Sequence, residues 1–217
     1  MSKPTELTND GLVRRMIAGD EEAFAVLYRR LHPPIYRFAL HMSGNTAVAE
    51  DVTQEVFMTL IRDARRFDPA RGTLGGFLFG VARNHLRKRW EQDKRIVALE
   101  EGAEDIGCEA RGAEAGRNGN RAIEDPASGD SHDVFSSLET AGRVRQAIAT
   151  LPENYREVVV LCELEEMNYE EAAAALNCPI GTVRSRLHRA RALLLEKLRE
   201  PEVEWRVLKV FEKRPIR

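Results

Sequence analysis

The chain has 217 residues, 43% hydrophobic and 31% charged, which suits one or two small globular domains with real cores. No run of about eighteen uncharged apolar residues occurs, and the first ten residues, with Lys3, Pro4, Glu6 and Asp10, lack the apolar stretch of a secretory signal, so a cytoplasmic chain is expected. Cys108, Cys162 and Cys178 are odd in number and widely spaced, which argues against a disulfide framework and a zinc cluster.

The net charge of −2 hides a segregation. Residues 11–95 hold fifteen Lys/Arg against ten Asp/Glu, residues 96–138 hold three against ten, and residues 139–199 balance at nine each. The acidic middle carries six glycines, Pro126, a single aromatic (Phe135) and no sustained period, and reads as a flexible linker. More than forty such residues exceed the usual connection inside one compact domain. The organisation expected is therefore a lead-in over 1–20, a domain over 21–95, the linker over 96–138, a second domain over 139–199 and a tail over 200–217.

Both flanks are helical in pattern. Phe24, Leu27, Tyr28 and Leu31 recur at three and four, Pro33-Pro34 predicts an interruption, and Ile35, Phe38 and Ala39 resume the spacing. Further helices are predicted over 47–67, 74–91, 140–149 and 152–165. The run from Val158 to Leu161 could pass for a strand, but Pro152 followed by Glu153 favours a helix start, and no second such run exists to pair with it. The fold class is all-α, in two small helical domains.

The sharpest local pattern lies at 168–198. Asn168 with Glu171 forms a capping box ahead of a short alanine-rich helix, and Asn177-Cys178-Pro179 breaks it. In the next helix Val183, Leu187, Ala190 and Leu194 make one apolar stripe, with Arg184, Ser185, His188 and Arg189 opposite and no acid between Glu171 and Glu196. The pattern matches the helix-turn-helix, whose second helix enters the DNA major groove, where arginine can offer two donors to guanine. The alternative is a solvated basic helix in an ordinary bundle.

Two further stretches stand out. Asp51, Gln54, Glu55, Met58 and Arg62 form a mixed-charge stripe, which by itself reads as a solvent face. Between Arg83 and Arg89, Arg83, Asn84, Arg87 and Lys88 share one side of a helix, with Phe77, Phe79 and Trp90 nearby; this suits either exposed bases or a core with a solubilising fringe. The loop from Phe67 to Gly72, with Arg71 in it, precedes that helix. No P-loop, GxSxG or HExxH is present, and His32, His41, His85, His132 and His188 lack metal spacing, so neither an enzyme nor a cofactor is expected.

Taken together, Leu151-Pro152 through Arg156, Tyr169 to Ala173 and Cys178 to Arg191 resemble region 4 of bacterial sigma factors of the extracytoplasmic function (ECF) type. Glu50 to Phe57, Phe67 and Phe77 to Arg89 resemble region 2 of the same proteins, and the two motif sets cover about 130 of the 217 residues. The resemblance implies a transcription initiation factor. It implies that Asp51, Gln54, Glu55, Met58 and Arg62 dock on the clamp helices of the largest core RNA polymerase subunit, with region 4 at the flap of the second largest. It implies that Arg71, Asn84, Arg87 and Lys88 engage the −10 element and hold a flipped base. Thr182, Arg184, Ser185, His188 and Arg189 would read the −35 element. An anti-sigma factor is expected as a further partner, and the acidic linker would thread the RNA exit path. Two departures stand out: Glu166 where the family often carries Gly, and Gly75-Gly76-Phe77 where it often carries Trp. The competing readings are a helix-turn-helix regulator that is no sigma subunit, and an adaptor or anti-sigma protein that imitates one.

Overall fold

The computed structural model describes residues 8–103 and 131–198, with side chains described over 8–92 and 140–198. Among these the fold is all-α, without strands. Helix α1 (Asn9–Ile17) is capped by the Thr8 hydroxyl, which accepts from the Gly11 N–H, and buries Leu12 and Val13. The segment expected as a lead-in thus contributes to the packed core. Helix α2 (Glu21–Ser43) begins at Asp20, which accepts from the Ala23 N–H, and ends at Gly44 in the left-handed region (φ 67°).

Pro33 and Pro34 do not interrupt α2, contrary to the prediction. Each proline removes one ladder hydrogen bond. The apolar face is nevertheless continuous across them, since Val26 and Leu27 before and Ile35, Phe38 and Ala39 after are all buried, and Pro33 itself faces water. Burial of that face offsets the two lost bonds.

Asn45 caps α3 (Thr46–Asp63) by accepting from the Ala47 and Val48 N–H groups. The predicted helix over 47–67 stops earlier, because residues 64–66 and 69–71 tighten into 3-10 turns around an extended Asp68 ahead of Pro69. Helix α4 (Leu74–Ala103) runs beyond the predicted 91, and α5 (Ser131–Ala149) starts before the predicted 140. Helix therefore enters both ends of the segment read as linker, because an established helix gains one hydrogen bond for each residue added even where no apolar stripe signals it. Residues 104–130, with Cys108, and the expected tail lie outside the described residues.

After Pro152, which stands just before the helix and not in its first turn, come α6 (Glu153–Val159) and a π-turn over 160–164 where a single helix to 165 was predicted. The capping box is present at α7 (Tyr169–Leu176), which ends at a left-handed Asn177 (φ 49°), and α8 (Ile180–Lys197) follows Pro179. Cys162 is buried in the π-turn and Cys178 half-buried after α7.

Helices α1–α4 pack around Leu27, Phe38, Leu60 and Leu78, and α5–α8 around Ile148, Leu161, Leu187 and Leu194. The two units also pack on each other: α2 against α5 and α6, and α4 against α7. Arg37 binds Glu165 through two hydrogen bonds (3.0 and 2.6 Å), and the Arg156 guanidinium donates to the Met42 carbonyl at 2.9 Å.

Candidate nucleic-acid interface

The buried stripe of α8 is the predicted one: Val183, Leu187, Ala190 and Leu194 are all under 3% exposed. That anchoring turns Arg184, Ser185, His188 and Arg189 outward together, all exposed, with Thr182 half-buried at the start of the helix. The Arg184 guanidinium lies 5.8 Å from the centre of the Tyr169 ring, so a cation–π contact from α7 orients it. The Ser185 hydroxyl donates to the Thr182 carbonyl at 3.1 Å. Arg191, beside the stripe, is bound instead to Glu163 (2.5 Å) and serves packing.

The second set gathers around a cavity of about 680 Å³. Arg71 from the loop and Asn84 and Arg87 from α4 line it, while Lys88 is exposed on the same helix outside it. The loop also brings Arg66 and Phe67 to the cavity, which sequence reasoning did not single out as site residues. The signal available was Phe67 in the resemblance to region 2, with Phe77 at the start of the next helix; their rings lie 5.9 Å apart and both line the cavity. Phe79 belongs to the core, edge-on to Phe38. Glu171 and Asn177, from the other unit, complete the wall.

Arg83 lines the same cavity as Asn84 and Arg87, on the face that helical projection assigned to it, but its side chain is already held. Its guanidinium donates to Glu157 Oε1 at 2.5 Å and to the Leu176 carbonyl at 3.2 Å, both in the second unit. Burial pushes the Glu157 carboxyl above the ordinary carboxylate range, against the pull of the Arg83 hydrogen bond. Glu165 is raised for the same reason, with Arg37 opposing.

On α3, Asp51, Gln54, Glu55, Met58 and Arg62 are all exposed, as the stripe predicts. Asp51 is tied to Arg89 of α4 at 2.9 Å. Met58 and Ile61 are 51% and 55% exposed, and Phe57, next to Met58 in α3, packs its ring against the Tyr28 and His32 rings of α2. Ile61 extends the stripe by the same spacing, and an isolated isoleucine in a helical pattern reads as core until its exposure is seen. The patch is apolar at its centre and charged at its rim, the composition of a protein-docking surface.

Among the described residues no three His, Cys, Asp or Glu side chains cluster as a metal site, and no helix is long and apolar enough to cross a membrane.

Residues 27–96 match the family description "Sigma-70 region 2", and residues 141–194 match "Sigma-70, region 4". The chain is 30% identical over 188 residues to the ECF RNA polymerase sigma factor SigW of Bacillus subtilis, covering 87% of this chain and 95% of that one. It is 32% identical over 176 residues to the ECF RNA polymerase sigma factor SigE of Mycolicibacterium smegmatis, 79% of this chain and 60% of that one. Among solved structures, the sigma factor RpoE of Bartonella quintana, crystallised with the anti-sigma factor NepR, aligns with a TM-score of 0.59 at 25% identity, over 82% of this chain and 98% of that one. With both sigma regions matched in order and near-complete coverage of SigW, the chain belongs to the ECF sigma factors, non-enzymatic transcription initiation factors of RNA polymerase.

Proposed function

We propose that this sigma factor directs core RNA polymerase to promoters with two recognised elements, the −35 element read by α8 in duplex form and the −10 element melted and held at α4. The observation that carries the reading is the outward face of α8, where Arg184, Ser185, His188 and Arg189 are exposed together while the opposite stripe is buried. A duplex presents base edges in its major groove to such a helix, and each good bidentate arginine contact is worth about 1–3 kcal/mol of discrimination. A strand being separated needs a pocket and stacking surfaces as well as charge; the cavity with Arg71, Asn84, Arg87, Phe67 and Phe77 supplies these.

The stripe from Asp51 to Arg62, with Met58 and Ile61, docks on the clamp helices of the largest polymerase subunit, and the region 4 unit sits at the flap of the second largest. Once polymerase holds one unit on the promoter, the other binds at raised effective concentration, so neither needs high affinity alone. The solved relative in complex with an anti-sigma factor supports a partner of that class here.

Run-off transcription tests the reading. Purified chain with bacterial core polymerase on a genomic fragment library should give new starts sharing two upstream elements. Arg184→Ala with Arg189→Ala should lower those starts at least about tenfold, as expected for the loss of two base-reading side chains, while still co-eluting with polymerase. Met58→Asp should abolish co-elution. Absence of new starts from the parent chain would sink the proposal: retained co-elution would then point to an adaptor, and its loss to a regulator that is no sigma subunit.

A further inference from the structure

We propose that helix α7 is an intramolecular lid on the strand-binding face of α4, so that the free chain is closed on itself and the −10 cleft becomes competent only when the two units part. This rests on the reading of α4 as the −10 face.

Arg83 stands next to Asn84 in the basic stretch of α4, yet its side chain is only 15% exposed and is claimed by Glu157 and the Leu176 carbonyl. A nucleic-acid strand on this face would offer phosphate oxygens of the same chemistry. Glu157 and the α7 carbonyl therefore occupy Arg83 as a strand would.

The contact is also built to be reversible. Glu157 is fully buried while its Oε2 has no hydrogen-bond partner, so the carboxylate is only half satisfied. A buried ion pair of this kind fixes geometry more than it adds net stability, because both ions regain full hydration when the surfaces separate. The latch holds position at little thermodynamic depth.

The backbone of α4 is shaped for the lid. Gly76 and Gly80 lie one helical turn apart, although glycine is a poor choice inside a helix. A Cβ on Gly80 would stand 3.3 Å from the Ala175 carbonyl oxygen, closer than ordinary contact, while one on Gly76 would meet the Thr73 hydroxyl at 3.4 Å and the Glu171 carbonyl oxygen at an ordinary 3.6 Å. Both carbonyl oxygens belong to the α7 backbone. The two glycines thus make a smooth strip on which α7 rests, with Ala172 and Ala175 buried above it. Glu171 adds an acid to the wall of the basic cavity. The α8 face, in contrast, is exposed in the same closed arrangement.

The test uses the full chain and two variants, Gly80→Ala and Glu157→Gln. Alanine favours α4 itself while wedging the lid, so opening by Gly80→Ala cannot be mistaken for loss of the helix. Small-angle scattering reads compactness, circular dichroism reads helix content, and fluorescence anisotropy reads binding of a fluorescein-labelled mixed-sequence single-stranded DNA 12-mer. The expected result is a larger radius of gyration in at least one variant at unchanged helix content, with tighter 12-mer binding. If the open form is about a tenth of the parent population, full opening raises apparent affinity about tenfold. Unchanged dimensions and affinity in both variants would overturn the lid. Opening without any gain in affinity, where the parent does bind the 12-mer, would overturn it too, as a contact that covers nothing. If neither parent nor opened chain binds the 12-mer, the proposal also falls, and the fault then lies in the −10 reading and not in the closure.

Discussion

Glu166 holds φ at 56°, in the left-handed region that favours glycine, at the turn leading into α7. The family's frequent Gly at this place has a backbone reason, and this chain meets it with a side chain at a cost. Left-handed backbone costs an ordinary residue roughly 1–2 kcal/mol, and glycine's greater freedom in the unfolded chain takes part of that back. Glu166→Gly is therefore expected to raise stability by about 0.5 kcal/mol, seen as a higher urea midpoint at unchanged slope. A lower midpoint would mean that the Glu166 side-chain interactions outweigh the backbone strain. Asn177 (φ 49°) occupies the same region at the end of α7, but asparagine tolerates it, and the turn between α7 and α8 needs no glycine.

Helix α8 carries two faces with opposite consequences for mutation. Leu187 is 2% exposed in the stripe, and Leu187→Ala should cost about 2–5 kcal/mol in thermal or denaturant unfolding, with loss of transcription following from loss of the fold. Arg189 is exposed, and Arg189→Ala should leave stability within about 0.5 kcal/mol while lowering promoter-specific starts. Equal destabilisation by both would remove the distinction between the core face and the outward face. This helix was legible because apolar positions at helical spacings of four, three and four, from Val183 to Leu194, coincide in it with a basic stretch free of acids. Helix α2 was not, because local rules treat Pro33-Pro34 as a stop and cannot see the core that holds both halves in line.

At the scale of the molecule, His41 reports on the contact between the units. Burial pushes its imidazole below the ordinary value, and the positive charges of Arg145 on α5 and Arg37 on α2 add to the effect. The folded state therefore prefers neutral His41. Its contribution to stability is complete above about pH 6.5, the value of an unfolded histidine, and is lost as pH falls below that toward the depressed folded value. Glu157 and Glu165, raised by burial, act with the opposite sign: the fold takes up their protons more readily as pH falls. Comparing thermal midpoints at pH 7.5 and 5.5 in the parent and in His41→Gln isolates the histidine, since the carboxylates are common to both. The parent should lose more stability on acidification than the variant; equal losses would remove His41 from the contact.

Local sequence by itself determined the helical class, the cap at Asn168 and the break after α7 at Asn177, the two faces of α8 and the exposed stripe on α3, because each depends on interactions within about one helical turn. The tertiary structure decided what depends on surfaces distant in the chain: the passage of α2 through its prolines, the loop placing Arg66 and Phe67 beside Asn84, and the capture of Arg83 by Glu157, 74 positions away. Helical projection places a basic side chain on a face. Only the packing of α4 against α7 shows which of those charges faces solvent and which is already held.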